Sequence, residues 1–467
     1  MHDPTHEPMR APHSTTPRRG GSFESGFGAI FLVDVLAVLV IFATSLAAYV
    51  WLDSTRPAAV VAVAPTIPPT AAPVSAVPTQ APNGSAAPST PAGGTSPKPT
   101  ALPSLTYGKG TWATVDPLPS ARWGTASVVL RDGRVMVIGG ATGVSSNNAT
   151  ASVMLFDPST SKWSAATDML QPRAYPMAVL LADGSVFVAG GSKNGQPLDT
   201  SERYNPGTGT WTAAGRLNLP RTQGTLTLLP DGRVLAAGGG IEAAPSWIST
   251  ASTELFDPKS GQWSIAAPMS VARAIHTATL LKDGEVLVAG GATTYHGSTG
   301  NVTNRVEIFT PKTGKWRAVA SLPKPLYVQS AGLMTDGKVI VAGGWWATSN
   351  ADPSHGNVQI YDPANDTWSP TGALVTPRAQ FNLEPLPDGR FIAIGGVDPA
   401  YHTLATTEIY DPASGAWETS GKLAIAMMWP AIGVLRDGRV FLAGGALDAL
   451  ADHLTAVSEI YTPAPKR

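Results

Sequence analysis

The sequence predicts an all-β fold in which seven copies of one four-stranded unit close into a ring, a seven-bladed β-propeller. The first observation is a tryptophan that stands 27 residues before a Gly-Gly pair in every copy, from Trp112 and Gly139 to Trp417 and Gly444. The second is the distance between successive tryptophans, 48 to 53 residues, which is the length of a propeller blade. The third is an Asp-Gly pair between two short apolar runs in all seven copies, which is a strong hairpin signal.

The part of the chain before the repeats begins with a polar tail and an apolar run. Residues 1–27 are predicted to be a disordered cytoplasmic tail. Residues 28–52 form an apolar run of 25 residues, which as a helix is long enough to cross a bilayer. Arg18 and Arg19 precede this run and only Arg56 follows it closely, so the positive-inside rule places the tail in the cytoplasm.

A cleaved signal peptide is the alternative for residues 28–52, although the run is longer than an ordinary signal sequence and no A-x-A site ends it. Residues 53–105 consist almost entirely of Pro, Ala, Thr and Ser, a composition that favours extended polyproline II and cannot form a core. We expect a semi-rigid stalk that holds the repeats, residues 106–467, away from the membrane. The sequence therefore predicts a single-pass membrane protein with an extracytoplasmic propeller.

The overall composition argues against several classes of function. The net charge is −1 and 14% of the residues are charged, so nothing indicates nucleic-acid binding, which requires a basic patch. The chain has no cysteine, which excludes disulfides, thiolate metal sites and cysteine nucleophiles. No cofactor is indicated, and the histidines of the repeats lack the close spacing of a metal site.

Each copy has the pattern of four short strands. In the copy that begins at Arg173, the run MAVLLA is followed by Asp183-Gly184, and then by SVFVAGG, a loop, SERYNP and TWTAAG. Short runs of this kind, bounded by Gly, Pro or Asp, are typical of β-strands. The Asp-Gly pair is predicted to form a type I′ turn, because both residue types tolerate a positive φ.

These markers resemble the kelch repeat, in which Gly-Gly ends the second strand, an aromatic-x-Pro ends the third and a tryptophan lies in the fourth. The third-strand aromatic residues are Phe156, Tyr204, Phe256, Phe309, Tyr361, Tyr410 and Tyr461. The resemblance covers about residues 107–467 and extends to the central domain of the galactose oxidases. It implies the propeller fold, whereas kelch domains serve many different functions.

The two ends of the repeat array are each incomplete. Trp112 has no third-strand aromatic residue before it, and Tyr461 has no tryptophan after it. We therefore expect the strand around Trp112 to complete the last blade beside the strand that ends at Tyr461. Closure of this kind leaves no blade without a strand.

The loop between the second and third strands is the part of the repeat whose length varies. From Gly-Gly to the aromatic marker it spans 14 to 19 residues. Because antiparallel strands alternate in direction, these 2–3 loops share one face of the ring with the 4–1 connections between blades. Variable loops on a rigid scaffold commonly carry binding residues, so this face is the predicted site.

The first group of candidate ligand contacts is an arginine ten residues after the tryptophan. It occurs as Arg122, Arg173, Arg221, Arg273 and Arg378. The kelch resemblance implies that arginines at this position can line the channel mouth and bind carboxylate or sulfate groups. The alternative is that they bind backbone carbonyls or the glutamates two residues before the third-strand markers. These glutamates are Glu202, Glu254, Glu307, Glu408 and Glu459.

Two further groups lie on the same face. Residues that depart from the repeat just after the arginine position either line a pocket or pack between blades: Trp123, Tyr175, His276, Tyr327, Phe381 and Trp429. The long loops hold the third group: Trp247, Tyr295, His296, Trp345, Trp346, His355, Tyr401, His402 and His453. Aromatic side chains beside polar groups suit sugar rings or peptides.

These features predict a membrane-anchored, surface-displayed binding module without catalytic activity, whose ligand is a carbohydrate or a partner protein. The alternative is a carbohydrate-active enzyme of the hydrolase or epimerase type on the same face, because propeller sites take single residues from several blades and leave no local motif. By resemblance, a copper-radical oxidase of the galactose oxidase type would need a tyrosine–cysteine crosslink, which this chain cannot form. A third alternative is a structural spacer that docks other subunits.

Overall fold

Seven four-stranded sheets surround a central axis in the computed structural model. The structure describes residues 109–143, 148–241, 246–296, 301–345, 356–448 and 451–464. In blades 1 to 6 the strands follow chain order from the axis outward, whereas the outermost strand of blade 7 is the first strand of the chain. The innermost strands of neighbouring blades touch in a closed ring. The predicted seven-bladed propeller is therefore confirmed.

The first strand of the chain, β1 (Thr111–Val115), belongs to the last blade. Blade 1 contains β2 (Ala126–Val129), β3 (Val135–Ile138), β4 (Val153–Asp157) and β5 (Lys162–Ala165). Blade 2 contains β6 (Met177–Leu180), β7 (Val186–Ala189), β9 (Gln196–Asn205) and β10 (Thr210–Arg221), with the short β8 (Ser192–Lys193) paired to β9. Blade 3 contains β11 (Thr225–Leu228), β12 (Val234–Ala237), β14 (Thr253–Asp257) and β15 (Gln262–Ala266).

Blade 4 contains β16 (Thr277–Leu280), β17 (Val286–Ala289), β20 (Val306–Thr310) and β21 (Lys315–Val319). Blade 5 contains β22 (Ser330–Leu333), β23 (Val339–Ala342), β24 (Val358–Asp362) and β25 (Thr367–Pro370). Blade 6 contains β26 (Asn382–Pro385), β27 (Phe391–Ile394), β28 (Thr406–Asp411) and β29 (Ala416–Lys422). Blade 7 contains β30 (Ala431–Val434), β31 (Val440–Ala443), β32 (Ser458–Thr462) and β1.

The 2–3 loops of blades 3 and 4 together form a small additional sheet. It consists of β13 (Ser246–Ile248), β18 (Ala292–His296) and β19 (Asn301–Val302), in the order β13-β18-β19. None of the described residues belongs to a helix of sufficient length and apolarity to span a bilayer. The predicted tail, transmembrane helix and stalk, residues 1–27, 28–52 and 53–105, lie outside the described residues.

The ring closes as the sequence predicts. β1 pairs antiparallel with β32, and Trp112 stands opposite Tyr461. The indole Nε1 of Trp112 donates a hydrogen bond to Thr407 Oγ1 in blade 6, at 3.3 Å. The strand from the start of the repeats therefore completes blade 7 and also joins it to the preceding blade.

The core lies between the blades. All residues of the seven second strands are buried, for example VMVI in β3 and VFVA in β7. In each blade the third-strand aromatic residue packs against the fourth-strand tryptophan, with ring centroids 5.0–5.3 Å apart. These large side chains fill the outer, wider part of each wedge between blades, which explains why the repeat keeps an aromatic pair there.

The Asp-Gly hairpins form a different turn from the predicted one. In blade 1 the N–H of Gly133 donates to the carbonyl of Leu130, and the N–H of Leu130 donates to the carbonyl of Arg134. Gly133 has a φ of 93°, whereas Asp132 is not in the left-handed region. This is a type I turn followed by a left-handed glycine, so the type I′ prediction is wrong. The Asp132 carboxylate accepts the N–H of Arg134 at 3.0 Å, which holds the aspartate in the turn.

The Gly-Gly pair joins each blade to the next. Gly343 in blade 5 has a φ of 61°, and a Cβ built there would lie 2.3 Å from the carbonyl oxygen of Arg378 in blade 6. The N–H of Gly344 donates to that same carbonyl at 3.0 Å. The same arrangement recurs around the ring, including Gly444 and Gly445 with Arg122 across the closure. Only glycine permits this close approach of two backbones.

Candidate functional site

The predicted arginines are buried within their own blades. Arg173, Arg221, Arg273 and Arg378 are all 0% exposed, and each forms an ion pair of 2.6–2.8 Å with the glutamate of the third strand. In blade 6 the Arg378 guanidinium also donates to the carbonyls of Gly395, at 3.0 Å, and Thr406, at 2.9 Å. Burial lowers the pKa of Arg378, and the Glu408 carboxylate counters this effect.

The glutamates in turn hold the connection between blades. Glu408 accepts the backbone N–H groups of Val375 and Thr376, both at 2.8 Å, in the segment that leads into blade 6. Arg122 has no glutamate partner, because Met154 occupies that position, and it donates instead to three backbone carbonyls. The five arginines therefore have the structural role that was the alternative to ligand binding. The prediction that their side chains contact a ligand at the channel mouth is corrected.

The actual mouth of the channel is formed two residues after the arginine position. One residue from each blade stands there, and every one has a φ between 49° and 58°: Gly124, Tyr175, Gln223, Ile275, Val328, Gln380 and Trp429. We call these seven residues the mouth ring. Six of them are not glycine, and a positive φ is strained for β-branched residues such as Ile275 and Val328.

Backbone hydrogen bonds link the mouth ring from blade to blade. The N–H of Tyr175 donates to the carbonyl of Gly124 at 2.7 Å, and the N–H of Gln380 donates to that of Val328 at 3.1 Å. The residue before each ring member forms an antiparallel bridge with the residue after Gly-Gly, as Trp123 does with Ala141. The 4–1 connections and the 2–3 loops thus share one face, as predicted.

The mouth ring opens into a cavity of about 550 Å³ on the propeller axis. All seven blades contribute to its wall, and Tyr175, His276, Tyr327, Trp345 and Trp429 from the predicted site residues are among the lining side chains. No Asp, Glu, Lys or Arg occurs among the described residues that line this cavity. We call it the mouth pocket.

Aromatic side chains form two walls of the mouth pocket. Trp429 stacks on Trp123 with ring centroids 5.2 Å apart, and Tyr175 meets both rings edge-on. Trp123 does not line the cavity, but it packs against Trp429 and Tyr175, which do. On the blade 5 side, Trp345 lies edge-on to Tyr327, at 6.0 Å, and to Tyr401, at 4.8 Å.

His276 is a buried, uncharged component of the pocket. It is 7% exposed, and burial, assisted by the charges of Arg273 and Arg221, lowers its pKa to about 3. Its Nε2 lies 3.3 Å from Thr225 Oγ1 in blade 3. His276 and Phe381 both press against the Gly-Gly pair of the preceding blade, so they pack between blades as well as lining the pocket.

The remaining predicted residues lie in the loops around the mouth. His402 and His453 are exposed, and each Nδ1 pairs with an aspartate of its own loop, Asp398 at 3.2 Å and Asp448 at 2.8 Å. Tyr401 is 42% exposed beside Trp345. In the extra sheet, Trp247 pairs with Tyr295 and Ser246 with His296 along the backbone. The side chains of Trp247, Tyr295 and His296, and the whole of Trp346 and His355, lie outside the described part of the chain.

One carboxyl group lies just below the mouth. Asn382 lines the pocket at the start of β26, and Glu384 follows two residues later on the same side of the strand, about 7 Å further along the axis. Burial raises the pKa of Glu384 to about 7. Within the described ranges no group of three or more His, Asp or Glu side chains has the arrangement of a metal site.

Sequence reasoning missed Gln223, Ile275, Val328 and Gln380, although it selected Tyr175 and Trp429 at the equivalent position. The two aromatic members are conspicuous because the other copies have a glycine, an amide or an aliphatic residue at this position. Superposing the seven copies on their arginine position would have found the whole ring, since every member stands two residues after it.

Known proteins show the same repeat. The kelch motif matches residues 122–170, 173–218, 226–270 and 328–372. Alpha-scruin of Limulus polyphemus is 32% identical over 135 residues, which cover 28% of this chain and 14% of that protein. Kelch-like protein 36 of Rattus norvegicus is 29% identical over 143 residues, 31% of this chain and 22% of that protein. The chain thus matches less than a quarter of the length of these relatives.

Two solved structures share the fold. A novel fungal alcohol oxidase of the AA5 family, in complex with copper, aligns with a TM-score of 0.63 and 18% identity over 76% of this chain and 77% of its own. The structure of YjhT aligns with a TM-score of 0.51 and 17% identity over 66% of this chain and 100% of its own. At this identity the likeness concerns the fold alone. Together, the seven closed blades and the four segments that match the kelch motif show a β-propeller built from kelch-type repeats.

Proposed function

We propose that this protein is a membrane-anchored propeller, displayed at the cell surface, that binds a carbohydrate or a partner protein at the mouth pocket without catalysing a reaction. The observation that carries the proposal is the mouth ring, in which all seven blades converge on one cavity. Strained backbone that a rigid scaffold enforces is typical of functional sites. The apolar run at residues 28–52 and the Pro-rich segment after it support the display outside the cytoplasm.

The chemistry of the pocket favours binding over catalysis. Its volume of about 550 Å³ suits a small ligand or a few residues of a larger one. Aromatic walls supply large, rigid contact surfaces with polar edges. Hydrolysis of a glycosidic bond ordinarily requires two carboxyl groups across the bond, and the described lining contains none.

The enzyme alternative is a carbohydrate-active enzyme of the hydrolase or epimerase type, and a single observation favours it. Glu384 lies below the mouth with a pKa near 7, a value suited to a general acid or base. If catalysis occurs, it should depend on this residue. Substitution of Glu384 by Gln would then abolish turnover while ligand binding persists.

The binding proposal is tested with the full chain in detergent against a glycan array and against proteins of the cell envelope. Trp429→Ala should weaken binding at least about tenfold, because buried aromatic contacts dominate such interfaces. The matched control is Ile265→Ala, which truncates a side chain that is 74% exposed on the outer strand β15. Equal binding by the Trp429 variant and the wild-type protein would contradict the proposal, and product formation from a bound glycan would favour the enzyme.

A further inference from the structure

We infer that the mouth pocket selects an uncharged sugar ring and that Gln223 and Gln380 determine this specificity. The inference rests on the proposed binding function and narrows its ligand from a carbohydrate or a protein to a neutral sugar. It depends on the arrangement of the mouth ring, on unpaired polar atoms and on the charge of the lining.

The seven positions of the mouth ring have a two-sided arrangement. Tyr175 in blade 2 and Trp429 in blade 7 flank Gly124 in blade 1, while Ile275 and Val328 occupy blades 4 and 5 on the opposite side. Gln223 in blade 3 and Gln380 in blade 6 separate these two apolar walls. The two glutamines therefore line the pocket on opposite sides of the axis, each between an aromatic and an aliphatic neighbour.

Glycine at the seventh position keeps the aromatic wall in place. A Cβ built on Gly124 would lie 2.9 Å from the Tyr175 ring, so this ring fits only because blade 1 has no side chain there. A sugar ring presents an apolar face of C–H groups, for which a wall of this kind is a suitable partner. Its hydroxyl groups project from the ring edge, toward the sides where the amides stand.

Unpaired polar atoms concentrate around the mouth. Among the described residues nine buried side-chain polar atoms lack a hydrogen-bond partner. Seven of them belong to the segments beside the mouth ring: Thr125, Ser192, Thr222, Gln223, His276, Gln329 and Gln380. Buried polar groups in folded proteins are nearly always paired with protein groups or with ordered water, so these segments retain hydrogen-bonding capacity beside the mouth.

The amides of Gln223 and Gln380 suit hydroxyl groups in particular. Each amide offers two N–H donors and a carbonyl acceptor, and rotation about the last torsion exchanges them. A vicinal pair of hydroxyls both donates and accepts, so one amide can engage two neighbouring hydroxyls. A ligand held on both sides in this way has a fixed orientation against the aromatic wall.

The described lining provides no charge to balance an ionised ligand. Four of the arginines that could have done so are 0% exposed and paired with glutamates, and Arg122 is 3% exposed and donates to backbone carbonyls. The imidazole of His276 is neutral and belongs to the interior. A carboxylate placed in the pocket would lose its hydration without gaining a cation, which strongly disfavours its binding. The pocket therefore discriminates against acidic sugars.

The test compares sugars that differ only in charge. Binding of methyl glucoside and methyl galactoside to the full chain is measured by calorimetry beside the corresponding methyl glucuronide and methyl galacturonide. At least one neutral sugar should bind, and its uronide should bind at least tenfold more weakly. Gln223→Leu and Gln380→Leu should each weaken the neutral sugar about tenfold, whereas Ile265→Ala should leave it unchanged. If Gln380→Leu fails to fold, Gln380→Asn takes its place, because it shortens the reach of the amide and keeps its polarity.

The outcomes separate this inference from the broader proposal. Equal or tighter binding of the uronides, or glutamine variants with wild-type affinity, would overturn the specificity while binding at the mouth still stood. A protein ligand that depends on Trp429, in the absence of sugar binding, would do the same. If no ligand of any class depends on Trp429, the binding function itself fails.

Discussion

At the scale of single residues, the buried arginine–glutamate pairs stabilise the connections between blades. Some blades keep the pair and others lack one or both of its members, so blades of the same chain can be compared. Blade 6 has Arg378 with Glu408, whereas blade 5 has Leu326 and Gln359 at the equivalent positions. Blade 7 keeps Glu459 without an arginine, and there burial raises the pKa of the carboxyl group. Glu459 therefore lacks the cation that its equivalents pair with in blades 2, 3, 4 and 6.

Arg378→Leu is expected to lower the free energy of unfolding by about 3–5 kcal/mol, because it leaves the Glu408 carboxylate buried without a cation. The double variant Arg378→Leu with Glu408→Gln reproduces the pair found in blade 5 and should lose clearly less. Urea unfolding of both variants measures the difference. A double variant that is as unstable as Arg378→Leu, or less stable, would show that charge pairing is not the cause.

Glu384 is expected to make stability depend on pH. Its pKa is raised from 4.5 to about 7 in the folded protein, so its contribution to stability is fully present at low pH and is lost as the pH rises from about 4.5 through 7. Glu384→Gln should therefore match the wild-type protein at pH 4 and exceed it at pH 8 by roughly 1–3 kcal/mol. Thermal unfolding at both pH values measures this. The exposed Glu418→Gln is the control, and an equal gain at pH 4 and pH 8 would contradict the expectation.

At the scale of strands, β1 closes the ring and its contribution can be isolated. Chains that start at residue 109 and at residue 116 differ by β1 and two flanking residues. Loss of β1 removes the ladder to β32 and the contact between Trp112 and Tyr461. The shorter chain should therefore unfold at a temperature several degrees lower or fail to fold, since it loses this ladder and the packing of the half-buried Trp112.

Thermal unfolding of the two chains, followed by circular dichroism, gives the measurement. The full-length protein in detergent is the reference for the chain that starts at residue 109. Equal midpoints for the two shortened chains would mean that blade 7 is stable with three strands and that closure contributes little.

At the scale of the whole molecule, the proposed orientation places the propeller outside the cell membrane. Protease added to intact cells should release the propeller, while an epitope tag at the N-terminus should stay protected, because the positive-inside rule predicts that Arg18 and Arg19 keep the tail in the cytoplasm. Immunoblots for the tag and for the propeller measure both. Protection of the propeller with digestion of the tag would reverse the orientation, and release without protease would indicate a cleaved signal peptide.

The candidate site could be predicted from the sequence only in part. Trp429 and Tyr175 stand out in the sequence as large residues at a position that varies, so the sequence identifies them as candidate site residues. Gln223 and Gln380 are unremarkable in the sequence, and their importance arises because distant segments meet at the axis. The burial of Arg173 and its equivalents also depended on tertiary structure. The sequence around such an arginine does not reveal whether its side chain points into the blade or into the channel.

The sequence by itself determined the number of blades, the order of strands and the closure by Trp112, because these follow from spacing and from alternation along the chain. Packing decided the rest. The neutral lining of the mouth and the unpaired Oε1 atoms of Gln223 and Gln380 depend on which groups the seven blades bring within contact distance. Such contacts join residues that lie about 50 positions apart or more, where no local pattern constrains them.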